Sequence, residues 1–167
     1  MTEDKVLILN QKQIKQKTQR IAHEIYENHY KEKEIVMVGI KNSGLVLAKR
    51  LKKIIESISD LTVTLHSIEL NKDKPTQDTI RFSGEQSDLK NKALVVIDDV
   101  LNSGRTLVYV VKFLLDYPVK SMKTVVLVDR FHRKFPVRAD IVGLTLSTNL
   151  KEHISVDFSK PEGVYLD

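Results

Sequence analysis

The sequence predicts an α/β protein built on a central, mostly parallel, twisted sheet flanked by helices. Three observations carry that expectation. Short apolar runs rich in β-branched residues alternate with amphipathic, helix-periodic segments. The clearest run, "EIVMVGI" at residues 34–40, is apolar almost throughout, as a strand covered on both faces requires. Neither an internal repeat nor a break in composition marks a second unit, so one domain over residues 1–167 is expected.

Taken in order, residues 14–29 place Ile14, Ile21 and Ile25 among Lys, Gln and Glu, a helical spacing with one wet face. Strand 34–40 follows, then a helix marked by Leu47, Leu51, Ile54, Ile55 and Ile58. Residues 61–70, "LTVTLHSIEL", alternate as a strand through Leu61, Val63 and Leu65. The stretch 71–88, "NKDKPTQDTIRFSGEQSD", is polar and turn-rich; a connection of that length inside a domain reads as a flexible lid. Beyond it the pattern predicts strand 93–97, helix 106–115 and strand 124–128. Strand-like pieces follow at 140–146, 154–158 and 164–166.

Composition narrows the function classes. No segment approaches the roughly 18 apolar residues of a membrane span, and "MTEDKVLILNQKQIKQK" has no secretory pattern. There are no cysteines, which removes disulfides, thiolate metal sites and thiol catalysis and fits a cytoplasmic location. The formal net charge of +5 suits an anionic ligand such as a phosphorylated metabolite.

In a parallel sheet, ligands collect beyond the carboxyl ends of the strands. That brings together "KNSG" (Lys41, Asn42, Ser43, Gly44), "DDVLNSGRT" and "DRFHRKFPVRAD". In the middle loop, Asn102, Ser103, Gly104, Arg105 and Thr106 stand where strand turns into helix. Free N–H groups and the positive dipole end there form an anion site. A plain capped helix, with Ser103 or Asn102 satisfying one end N–H, is the competing reading of the turn. It leaves the adjacent carboxylates Asp98 and Asp99 unexplained. They make sense as acceptors for sugar hydroxyls or as neighbours of a cation.

Residues 94–106, "LVVIDDVLNSGRT", resemble the phosphoribosyl-diphosphate (PRPP) signature of the type I phosphoribosyltransferases. The resemblance implies that family's fold, with a small hood at the carboxyl strand ends. It also implies a catalytic pair, Asp98 and Asp99, on the ribose hydroxyls, and residues 102–106 on the 5′-phosphate. Mg²⁺ would be carried mainly by PRPP, with no metal cage from the protein.

Further blocks, "RIAHE" at 20–24, "VGIKNSG" at 38–44 and "LVDRFHRKFPVRADIVG" at 127–143, resemble the bifunctional pyrimidine-operon attenuator and uracil phosphoribosyltransferase family. This implies phosphoribosyl transfer from PRPP to uracil, giving UMP and diphosphate in pyrimidine salvage, by a homodimer or higher homo-oligomer. Lys41, Asn42, Ser43 and Gly44 would then meet the diphosphate. The family has Thr-Arg-Gly where this chain has Asn42, Ser43 and Gly44, which removes a phosphate-pairing fork. One of the lid cations Lys72, Lys74 and Arg81 would close over the diphosphate; solvated charges on a disordered loop are the competing reading. Asp129, with Arg130 beside it in the base-binding region, stands where purine-transferring relatives carry a lysine, so the resemblance disfavours a purine.

RNA is a further partner the resemblance implies, through His23, His132, Arg133 and Arg138. Against it, Gln19 replaces a threonine and Leu144 a lysine. A UMP-sensing, RNA-binding regulator with vestigial catalysis is the alternative function.

Overall fold

The computed structural model describes residues 4–71, 73–74 and 79–167. Six strands form the main sheet in the order β4-β3-β2-β5-β6-β7. They are β2 Glu34–Ile40, β3 Thr62–Glu69, β4 Arg81–Phe82, β5 Ala93–Leu101, β6 Ser121–Asp129 and β7 Ile141–Thr145. All neighbours pair in parallel except β4, which runs antiparallel to β3.

The period of two in the central strands explains the layers. Ile35 and Met37 of β2, with Val95 and Ile97 of β5, face one side. There they pack on α1 (Gln11–His29) and α2 (Ser43–Ile58) through Ile14, Ile21, Ile25, Leu47, Leu51 and Ile55. Val36, Val38, Leu94 and Val96 face the other side, against Leu107, Val110 and Leu114 of α4 (Arg105–Leu115). Both faces are dry, and the sequence of β2 and β5 is therefore apolar on both. Each fully buried aliphatic contributes about 1.5–3 kcal/mol.

A second, three-stranded antiparallel sheet, β1-β9-β8, makes the hood: β1 Val6–Asn10, β8 Ile154–Asp157 and β9 Gly163–Leu166. The expected α/β architecture and its hood are both observed.

Three expectations need correction. β1 is absent from the sequence reading: only Leu9 of its five residues is buried, and its partner β9 lies at the other end of the chain. β1 also feeds α1 directly, because Asn10 and Gln13 form a reciprocal capping box that starts the helix at Gln11. β5 does not stop at Ile97. It pairs with β6 as far as Leu101 opposite Asp129, so Asp98 and Asp99 lie inside the strand rather than after it. Finally, the 71–88 stretch is not structureless at its carboxyl end. Residues 81–82 form β4, and a capping box between Glu85 and Asp88 starts the short helix α3, Gln86–Leu89. Lys72 lies outside the described residues.

Candidate active site

Beyond the carboxyl end of β5 lies a cavity of about 430 Å³, lined by residues 98–107, Val126 and hood residues 153–156. Its floor is the strand-to-helix turn. Asp98 and Asp99 are half-buried, and each accepts its successor's N–H at 2.8 Å, Asp99 N to Asp98 Oδ1 and Val100 N to Asp99 Oδ1. These bonds fix both carboxylates at the rim.

Gly104 opens α4 with φ +86°, a conformation that costs a side-chain-bearing residue roughly 1–2 kcal/mol. A Cβ there would also stand 2.6 Å from Val137 Cγ1. No side chain caps α4. The plain-cap reading is therefore reduced to one 3.3 Å contact, Arg105 N–H to Ser103 Oγ. The first-turn N–H groups point along the helix axis out of its start, where an anion is favoured. Arg105 is exposed and has no ion-pair partner among the described residues.

The turn is held from behind by the loop after β6. Ser103 O accepts N–H groups from Lys134 (2.8 Å) and Phe135 (3.2 Å), and Leu101 O accepts that of Arg130 (3.0 Å). Phe135 and Val137 also crowd Gly104. The main chain of this loop thus buttresses the cradle, while Arg133 and Arg138 on it are exposed. The buried Arg130 joins three parts of the site. Its guanidinium donates to Asn102 Oδ1 (3.0 Å), to Thr148 Oγ1 (3.1 Å) and to Glu152 O (2.5 Å). The cradle and the hood segment leading into β8 are thus tied by one side chain.

The other expected site residues fall as follows. Gly44 is packed against the paired acids: a Cβ there would lie 2.8 Å from Ile97 O and 3.0 Å from Asp98 Cα. Lys41 and Asn42 are exposed, Lys41 standing 3.9 Å from Glu69, and with Ser43 they lie outside the cavity lining. Asp129, at the end of β6, is buried and accepts the Phe131 N–H at 2.9 Å. His132 Nε2 is bonded to Thr148 O. Arg133 lies over the Phe131 ring, 5.3 Å from its centroid, and Arg138 stands 3.9 Å from Asp140. His23 is exposed on α1, one turn from Arg20, whose guanidinium reaches the Val142 and Gly143 carbonyls of β7.

Hood residues 153–156 are the part of the lining that sequence reasoning missed. The strand was visible, but nothing local says that it folds over a cavity 50 residues upstream. Among the described residues, no group of three or more His, Asp or Glu side chains is arranged to hold a metal ion.

Known proteins resemble this chain in both sequence and fold. The phosphoribosyl transferase domain model matches residues 7–160. The bifunctional protein PyrR of Bacillus pumilus (strain SAFR-032) is 36% identical over 167 residues, covering 95% of this chain and 93% of its own. That of Macrococcus caseolyticus (strain JCSC5402) is 36% identical over 160 residues, covering 92% and 91%. Among solved structures, a hypoxanthine-guanine phosphoribosyltransferase from Bacillus anthracis superposes with TM-score 0.78 at 20% identity, covering 99% of both chains. The hypoxanthine phosphoribosyltransferase of Trypanosoma cruzi gives TM-score 0.77 at 15% identity, covering 96% and 94%. With a type I fold, a cradle at the expected strand end and this kinship, the chain belongs to the phosphoribosyltransferase family.

Proposed function

We propose that this protein transfers the phosphoribosyl group of PRPP to uracil, giving UMP and diphosphate. The observation that carries the reading is the combination, in one cavity, of two strand-borne carboxylates and an uncapped helix start. An uncapped helix start alone would bind any anion. Adjacent carboxylates would repel a simple anion, and they suit a ligand that carries hydroxyls beside its phosphate.

In this mechanism the α4 start and the Ser103 and Thr106 hydroxyls hold the 5′-phosphate. Asp98 and Asp99 accept hydrogen bonds from the ribose hydroxyls. As diphosphate departs, positive charge develops on the ribose ring, and the same fixed carboxylates stabilise it without reorganising. Residues 153–156 cover the cavity and keep water from that centre. No side chain acts as a nucleophile. The acidic oxygens of Asp98 and Asp99 are the donor type Mg²⁺ takes, and two carboxylates suit an ion brought largely by its substrate. Bound there, Mg²⁺ would offset the charge of the diphosphate.

An acid at position 129, where a purine carbonyl would need a cation, supports uracil over a purine. The test is diphosphate release from PRPP and Mg²⁺ with a panel of bases. Turnover with uracil alone is the expected result, and turnover with hypoxanthine or guanine overturns the base assignment.

A second reading, a UMP-responsive RNA-binding regulator, is favoured by the exposure of Arg133, Arg138 and His23. Absence of turnover, together with salt-sensitive and UMP-enhanced binding of pyrimidine-operon leader RNA, would select it.

A further inference from the structure

A second cavity, of about 460 Å³, lies between the first half of α1, the second half of α2 and Glu162 in the β8–β9 turn. It shares no residue with the first cavity. Its walls carry Lys15, Arg50 and Lys53 against a single carboxylate, Glu162.

That carboxylate is already committed. Arg50 donates to both its oxygens, at 2.9 and 2.5 Å. This pairing, with Lys160 nearby, holds the Glu162 carboxyl below the usual range. Three cations less one carboxylate leave the groove with two uncompensated positive charges. Lys15 and Lys53 have no ion-pair partner among the described residues, whereas Arg20 and Lys52 on the same helices pair with Glu24 and Glu56. No acid precedes Glu24 in α1 or Glu56 in α2, so neither helix can neutralise the groove locally.

Exposed lysines alone would be ordinary solvated charges. Arg50 is different. Its guanidinium is fixed by two hydrogen bonds to Glu162 and by stacking 4.6 Å from the Phe158 ring centroid. A guanidinium has five N–H donors, and two are used here. The remainder form a rigid fork whose orientation is set before any ligand arrives, the arrangement that recognises phosphate well. Ile54 supplies an apolar wall beside it.

We propose that this groove is a binding site for a small phosphomonoester, with its phosphate among Lys15, Lys53 and the open edge of Arg50 and its organic part against Ile54. The volume is that of a small-molecule site. One terminal phosphate matches the two uncompensated charges, whereas a nucleic-acid strand would need a run of cations along its backbone. The groove also touches both ends of the first cavity's frame. Glu162 lies in the hairpin that carries the hood lining, and α2 starts at the turn packed on Asp98.

The test is titration of the ¹⁵N-labelled full chain with glycerol 3-phosphate at constant ionic strength. Saturable shifts are expected in the amides of residues 11–19 and 50–57, apart from any in 102–107. Replacing the exposed Lys15 and Lys53 together by glutamine should weaken the first set at least about tenfold, the loss of about 1.4 kcal/mol of charge pairing, and leave the second set unchanged. Unperturbed amides of β2 and β5 would show that the variant is folded; if they move, the single Lys53→Gln variant replaces it. Absence of shifts in 11–19 and 50–57 overturns the proposal. So do shifts that never saturate, or that sodium chloride reproduces, because those report screening of solvated lysines.

Discussion

Two turns of this molecule follow the same local grammar and end up in different surroundings. After β2, residues 41–42 lead into α2; after β5, residues 102–104 lead into α4. Each leaves a dry strand and enters a helix that no side chain caps. The first is clamped on its inner side, with Gly44 against the Ile97 carbonyl, and leaves Lys41 and Asn42 in solvent. The second is supported from behind by the 131–137 loop and faces a cavity roofed by the hood. What separates them is neither composition nor helix start but what stands behind and in front. A cradle is a turn with a buttress and a roof.

That contrast can be broken most strongly at Gly104. Gly104→Ala combines a left-handed backbone, costing about 1–2 kcal/mol, with a clash on Val137 worth about 1–3 kcal/mol more. Urea unfolding should show a loss of about 2–5 kcal/mol. Adding Val137→Ala should return the clash but not the backbone share, and a cycle with no coupling would remove the buttress from the account.

Next comes the paired acid site. Asp98→Asn with Asp99→Asn should lower kcat/KM for PRPP about 10- to 100-fold, the loss of charge-assisted hydrogen bonds worth about 1.5–3 kcal/mol. Thermal unfolding should barely move. A comparable fall in stability instead would make the acids structural.

Gly44→Ala tests the clamped turn. Its Cβ would meet backbone atoms of β5, which cannot swing aside as a side chain does. A loss of about 1–3 kcal/mol is expected, with the kinetic effect following from displaced Asp98.

The smallest effect belongs to the Arg50–Glu162 pair that ties α2 to the hood. The Glu162 carboxyl is lowered, chiefly by the Arg50 hydrogen bonds. Its stabilisation is therefore present above the ordinary Glu value of about 4.3 and is lost as pH falls through the depressed folded value. Glu162→Gln should cost roughly 1 kcal/mol at neutral pH, and the difference from the parent should close below about pH 4.

The same contrast explains what could be read from the residues. β2 and the first half of β5 were legible because both faces are buried, which forces an unbroken apolar run. The cradle was legible because a strand, two acids and a Gly-containing turn are contiguous. The end of β5 was not, since carboxylates at Asp98 and Asp99 look like a strand terminus, while pairing with β6 carries on through them. Nor could the buttress be seen. Its contacts are mostly main-chain hydrogen bonds from Lys134 and Phe135 to Ser103, which side-chain chemistry does not announce. Asp129 was legible as an acid at the base-binding region, but its local partner, the Phe131 N–H, was not.

Val6 pairs with Leu166, so the roof joins strands 160 positions apart in sequence. During synthesis the residues of β2, β5, α4 and β6 all precede those of β9. Closure joins strands far apart in sequence, the kind of contact formed slowly and late. A newly made chain would therefore have the floor of its cavity before the cover that closes it.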